Sequence, residues 1–175
     1  MKKIFLTTLF LVGALACTNP KQTNEKNETQ NNDAMAQTQN QTNMKGYKSN
    51  IENDVLANED FRKVVYTAKH LQLVLMTLKV GEEIGEETHP VTDQFFRFES
   101  GNGKCIINGS TYSVTAGDAI IVPAGSKHNI INVDAKLELK MYTIYAPPNH
   151  KDGVVRSTKK EAEDIAEKFD GKTTE

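Results

Sequence analysis

From residue 61 onward, short apolar runs are separated by turn residues at near-regular intervals, and no other feature of the chain constrains its fold as tightly. The runs are "HLQLVLMTLKVG", "QFFRFES", "KCII", "TYSV", "AIIV", "HNIINV" and "KLELKMYTIYA". Between them stand Gly101-Asn102-Gly103, Asn108-Gly109, Thr115-Ala116-Gly117-Asp118 and Pro123-Ala124-Gly125. Asn-Gly between β-rich runs is the strongest short hairpin signal, because a type I′ turn needs positive φ at both central residues. Runs this short predict an all-β sandwich or barrel rather than alternating strand–helix units. The first run is apolar on both alternating faces, as expected of a strand covered on both sides. Gly101, Gly103, Gly109, Gly117 and Gly125 read as turn residues that tolerate positive φ.

One short C-terminal helix is predicted at about 158–169. Thr158 followed by Glu161 fits a capping box, and Ala162, Ile165, Ala166 and Phe169 recur at helical spacing. Such a helix covers a sheet edge or a barrel end. Residues 46–175 make one domain's worth of chain.

The N-terminus reads differently. Residues 1–16, "MKKIFLTTLFLVGALA", have two lysines, an apolar run and small residues, the pattern of a secretory signal peptide. Gly13-Ala14-Leu15-Ala16-Cys17 resembles a bacterial lipobox, which implies cleavage before Cys17 and lipidation of that cysteine. The chain is then expected to be exported and membrane-anchored in the cell envelope through Cys17. Thr18, where some bacteria use an acidic residue for inner-membrane retention, points to the outer membrane. Residues 17–45 are rich in Asn, Gln and Thr and bury too little apolar surface to offset chain entropy, so they read as a disordered linker. Cys105, the other cysteine, has no disulfide partner once Cys17 is lipidated, and its strand context makes it a small buried apolar residue. A formal charge of -2 argues against nucleic acid as a partner.

The chemistry concentrates in "GEEIGEETHPVTDQFFRFESG" and "GDAIIVPAGSKHNIIN". Side chains two apart on a strand share a face, so Glu87 and His89 project side by side. "PVTD" reads as a turn that brings Gln94 back opposite them, and His128 starts a strand that can deliver a second imidazole. One carboxylate and two imidazoles form a facial triad. Such a ligand set suits Fe(II) or Mn(II) and also accepts Zn(II) or Ni(II). The Gln94 amide is a weak fourth ligand or a hydrogen-bonding neighbour of the metal's other ligands. Without a metal, the same residues make a buried carboxylate between imidazoles, an acid/base pair. Phe96 and Phe98 share the parity of Gln94 and either line the cavity or pack in the core. His70 and His150 read as weaker site candidates.

These two stretches resemble the motifs of the cupin family. Gly117, Pro123, Gly125, His128 and Asn132 fit the second motif, and Gly81, His89 and Gly101 fit the first. Glu87 stands where the family has its first histidine, and Gln94 where it has a glutamate. The resemblance implies a jelly-roll β-barrel, a metal held by residues 87, 89, 94 and 128, and pairing of exposed strands into a homodimer. "YAPPNH", "DGVV" and "DQF" further resemble a small bacterial cupin subgroup often labelled phosphomannose-isomerase-like. Two functions follow. One is an enzyme acting on a small polar molecule by metal-assisted oxidation or sugar-type isomerisation; the other is a non-catalytic lipoprotein that binds a sugar or small metabolite.

Overall fold

The computed structural model describes residues 44–175. The segments read as signal peptide, lipidated Cys17 and linker as far as residue 43 lie outside the described residues. Residues 45–175 form one unit built from ten strands. These are β1 (Arg62–Thr67), β2 (Gln72–Leu78), β3 (Glu87–Thr88), β4 (Asp93–Ser100), β5 (Asn102–Ile107), β6 (Ser110–Thr115), β7 (Ala119–Val122), β8 (Lys127–Asn132), β9 (Leu139–Ala146) and β10 (Val155–Arg156). Six strands make one antiparallel sheet in the order β10-β1-β2-β9-β4-β7, and four make a second in the order β3-β8-β5-β6. The predicted all-β sandwich is therefore observed, and its jelly-roll topology puts sequence-distant strands side by side.

Local chemistry accounts for the main joints. Asn108 and Gly109 take φ of 47° and 84°, both positive as the type I′ hairpin between β5 and β6 demands. Gly101 carries the chain from one sheet to the other at φ 82°. A Cβ there would sit 2.5 Å from the Glu138 carbonyl oxygen, so the position is closed to other residues twice over. Gly101→Ala is expected to cost about 1–3 kcal/mol from backbone strain and overpacking, read as a lower urea midpoint with unchanged slope. Wild-type stability would mean that Glu138 moves freely. Gly103 corrects the expectation of a turn residue. It lies within β5, outside the positive-φ region, and its missing side chain makes room for Leu139 and Val114, which a Cβ would meet at 2.7 and 3.0 Å.

Inward-facing side chains alternate along β4, β5, β8 and β9 and fill the space between the sheets. Val74, Met76, Leu78, Phe96, Phe98, Leu139 and Met141 are all essentially inaccessible. Cys105 joins this core, and burial pushes its thiol up to about 12, so it is an inert packing residue as expected. The outer face of β2 is apolar for a reason the strand pattern alone does not show. A helix, α1 (Ile51–Ala57), packs across β2, β4 and β9 with Val55 fully buried. Asn50 caps it by accepting from the Asn53 amide at 3.2 Å.

The C-terminal helix, α2 (Lys159–Asp164), starts where predicted and ends earlier than residue 169. Thr158 accepts from the Glu161 amide at 3.2 Å, and the Glu161 carboxylate accepts from Ser157 at 2.8 Å. Beyond Asp164 the chain leaves the helix and folds back on the barrel. The Phe169 amide donates to the Asn149 carbonyl at 2.9 Å, and Glu167 enters an ion-pair cluster with Arg62 and Arg156. A continued helix would forfeit those buried partners.

Candidate metal centre

Three strands and one turn assemble the centre. β3 pairs with β8 so that Glu87 lies directly opposite His128. His89 follows β3, and its carbonyl accepts from the Gly125 amide at 2.8 Å, which ties it to the Pro123–Gly125 turn. Gln94 enters from the facing sheet on β4. All four predicted residues meet here. Glu87 Oε1 lies 3.2 Å from His89 Nε2 and 3.3 Å from His128 Nε2, and the Gln94 Oε1 lies 3.1 Å from His128 Nε2. Glu87, His89 and His128 each offer one donor atom, and these atoms lie within 4.8 Å of one another.

Proton accounting identifies what the cluster lacks. His128 Nδ1 lies 3.1 Å from the Ser126 carbonyl, an acceptor only, so Nδ1 carries the hydrogen. A neutral ring then directs the Nε2 lone pair at two oxygens, from Glu87 and Gln94. Both Glu87 Oε1 and His89 Nε2 are buried, and despite their short separations neither is aligned as a hydrogen bond. Glu87 Oε1, Gln94 Oε1 and His128 Nε2, with its hydrogen placed on Nδ1, are three acceptors turned toward one buried point, an arrangement that suits a cation. Burial works against the charged His128 ring, yet contact with Glu87 and the Ser126 carbonyl raises its pKa above the ordinary histidine value. Burial also works against ionised Glu87, but the two imidazoles prevail and hold its carboxyl well below the usual carboxylate range. A divalent ion satisfies the same lone pairs, and two imidazoles with a carboxylate are a fitting donor set for one.

Comparison with known proteins identifies the fold family. A family model described as a cupin domain matches residues 74–145. A crystal structure of BH2720 from Bacillus halodurans superposes with a TM-score of 0.68 at 39% identity, covering 70% of this chain and 97% of that one. The chain belongs to the cupin superfamily. This cupin is also 44% identical over 124 residues to the uncharacterized protein YrkC of Bacillus subtilis, covering 67% of the chain and 66% of that relative's length. Protein L612 of Acanthamoeba polyphaga mimivirus is 39% identical over 112 residues, covering 62% of the chain and 70% of that protein.

The cupin cavity holds further polar residues that sequence reading missed or undervalued. Tyr145 pairs across strands with Gln94 and is 2% exposed. Its ring stands edge-on to His89 at 5.5 Å and to His150 at 5.0 Å. Burial, reinforced by the Glu87 charge, pushes its phenol well above the ordinary value, so its hydroxyl keeps its proton. The alternation of Leu139, Met141, Thr143 and Tyr145 along β9 was the signal that could have placed it inside. Of the two weaker candidates, His150 is 5% exposed, whereas His70 sits exposed in the turn before β2. Phe96 is core and site wall together: it is fully buried, with its ring 6.3 Å from that of His128.

Gln94 is the informative departure from the family motif. Its amide nitrogen is buried without a partner while its oxygen faces the centre. Gln94→Glu is expected to tighten divalent-metal affinity about 10-fold or more, because a charged oxygen replaces a neutral one in a buried site. Chelator-competition titration measures this, and unchanged affinity would place residue 94 outside the ligand set.

Proposed function

We propose that this cupin is a metal-dependent enzyme that oxidises a small polar molecule, with Glu87, His89 and His128 as protein ligands. The observation behind this reading is the convergence of three ligand atoms on one point, two of them, Glu87 Oε1 and His89 Nε2, buried without a hydrogen-bond partner, with Gln94 beside them. These residues would hold Fe(II), which would supply the chemistry of dioxygen activation, and the same donors would accept Mn(II), Zn(II) or Ni(II). The chain's own residues do the rest. The Ser126 carbonyl fixes the His128 tautomer and directs Nε2 inward. The Tyr145 hydroxyl donates to a substrate oxygen without ionising, and the Gln94 amide orients a polar group next to it. Phe96 and Tyr145 keep water from the reacting side.

Sugar-type isomerisation, the reaction suggested by the phosphomannose-isomerase-like subgroup label, needs a base that titrates near neutrality beside the ligands. Tyr145 holds its proton too firmly, and His150 is lowered to about 3, so neither serves. A capture module for a small metabolite is the competing reading, favoured by the neutral Gln94. For location we propose export and tethering to the cell envelope through lipidated Cys17, a reading supported by the sequence of residues 1–17. The functional test is oxygen uptake by the Fe(II)-loaded protein across a screen of small enols, catechols, thiols and acids. Turnover that depends on His89 supports the enzyme; tight ligand binding without turnover supports the capture module.

A further inference from the structure

We infer that the substrate of this centre is a small organic acid, whose carboxylate docks on Arg62 while its other polar end meets the metal. This deepens the metal-enzyme reading and rests on it. A cleft of about 370 Å³ runs between the β2–β3 connection and α2, and it touches Glu87 and Arg62 together. Phe61, Ile84, Lys159 and Ala162 supply its remaining walls, apart from Gly85 and two acids. Glu86 pairs with Lys127 at 2.6 Å, and Glu163 shares Lys159, at 3.7 Å, with Glu83 at 3.8 Å.

Arg62 is not fully neutralised. It shares one carboxylate, that of Glu167, with Arg156: the separations are 3.5 Å from Arg62 and 3.0 Å from Arg156. Two guanidinium groups against one carboxylate leave a positive excess in a nearly dry site, and the Nε of each arginine is buried without a hydrogen-bond partner. The adjacent His150 adds no negative charge to balance it. The Arg62 guanidinium also sits over the Phe61 ring at 5.9 Å, which holds its plane against the cleft wall. Glu167 approaches Arg62 only through Nη1 at 3.5 Å and leaves the Arg62 Nε without a partner, and a planar guanidinium matches a carboxylate better than a sugar hydroxyl. An anion bridging Arg62 and a divalent ion balances both.

The full chain is loaded with Co(II), and its visible spectrum is followed while glutarate or the neutral 1,5-pentanediol is added. Glutarate is expected to shift the spectrum saturably, with at least 10-fold weaker binding of the diol. Arg62→Met is expected to weaken glutarate at least 10-fold with Co(II) affinity unchanged, and Arg62→Lys to lie between. Glu167→Gln, which frees the fork, is expected to tighten glutarate. A purely structural Arg62–Glu167 pair predicts the opposite for that variant, a loss of binding in both. Equal binding of acid and diol, or indifference to Arg62, overturns the inference while the metal centre stands. Failure of the wild-type chain to take up Co(II) overturns both.

Discussion

His128→Ala is expected to lose divalent-metal affinity by more than about 100-fold, the upper end of what losing a mere outer-shell partner costs. His128 Nε2 is the atom shared by Glu87 and Gln94, at 3.3 and 3.1 Å, so its removal takes away the common vertex of the cluster. Excess metal stabilises a protein that binds it only when folded, by about 2.7 kcal/mol at 100 times Kd. The wild-type unfolding midpoint is therefore expected to rise with added metal, and that of the variant to stay where it was. Competition with a chelating dye gives the affinity directly. Retained affinity in both His128→Ala and His89→Ala would remove the centre. The metal-free variant is expected to stay folded, because β8 keeps its backbone pairing with β3 and β5.

Acid is expected to destabilise the metal-free protein through His150, lowered to about 3 by burial first and then by the charge of Arg62. The groups facing the ring are Arg62 on β1, Arg156 on β10, Tyr145 on β9, Glu167 in the C-terminal segment, and Glu87 and His89 in the centre. Glu167 lies 3.8 Å from His150 Nδ1, but it is committed to the two arginines and does not draw a proton onto the ring. With a folded pKa below the unfolded value, the unfolded chain binds the extra proton as pH falls. The contribution is therefore complete above about pH 6.5, and it disappears progressively toward pH 3. The slope approaches one proton, about 1.4 kcal/mol per pH unit. Between pH 6.5 and 4.5 the wild type is expected to lose about 2–3 kcal/mol more than His150→Gln in urea titrations, since other groups titrate in both. Equal losses would show that the ring is protonated in the fold.

The β architecture was legible because its signals are local. Asn108-Gly109 fixes a turn by backbone chemistry alone, and Gly101 read correctly as a positive-φ turn residue. The helix α1 was not legible: seven residues are too few for helical periodicity to emerge, and its existence is hinted at only by the apolar outer face of β2. Spacing along one strand was enough to put Glu87 beside His89. The pairing of Glu87 with His128 is a non-local register, which no local pattern encodes; the motif supplied it. Tyr145 reaches the centre through the pairing of β9 with β4, His150 stacks edge-on against it from beyond β9, and Arg62 meets Glu167 only after the C-terminal segment folds back. Contacts made by topology rather than by sequence neighbourhood were the ones left unread.

An anomalous-difference map from crystals of the metal-loaded protein tests the centre most directly. One peak is expected about 2.0–2.3 Å from Glu87 Oε1, His89 Nε2 and His128 Nε2, within the usual carboxylate and imidazole coordination range. A full-occupancy ion elsewhere, with these three side chains unchanged around a proton, would contradict the account.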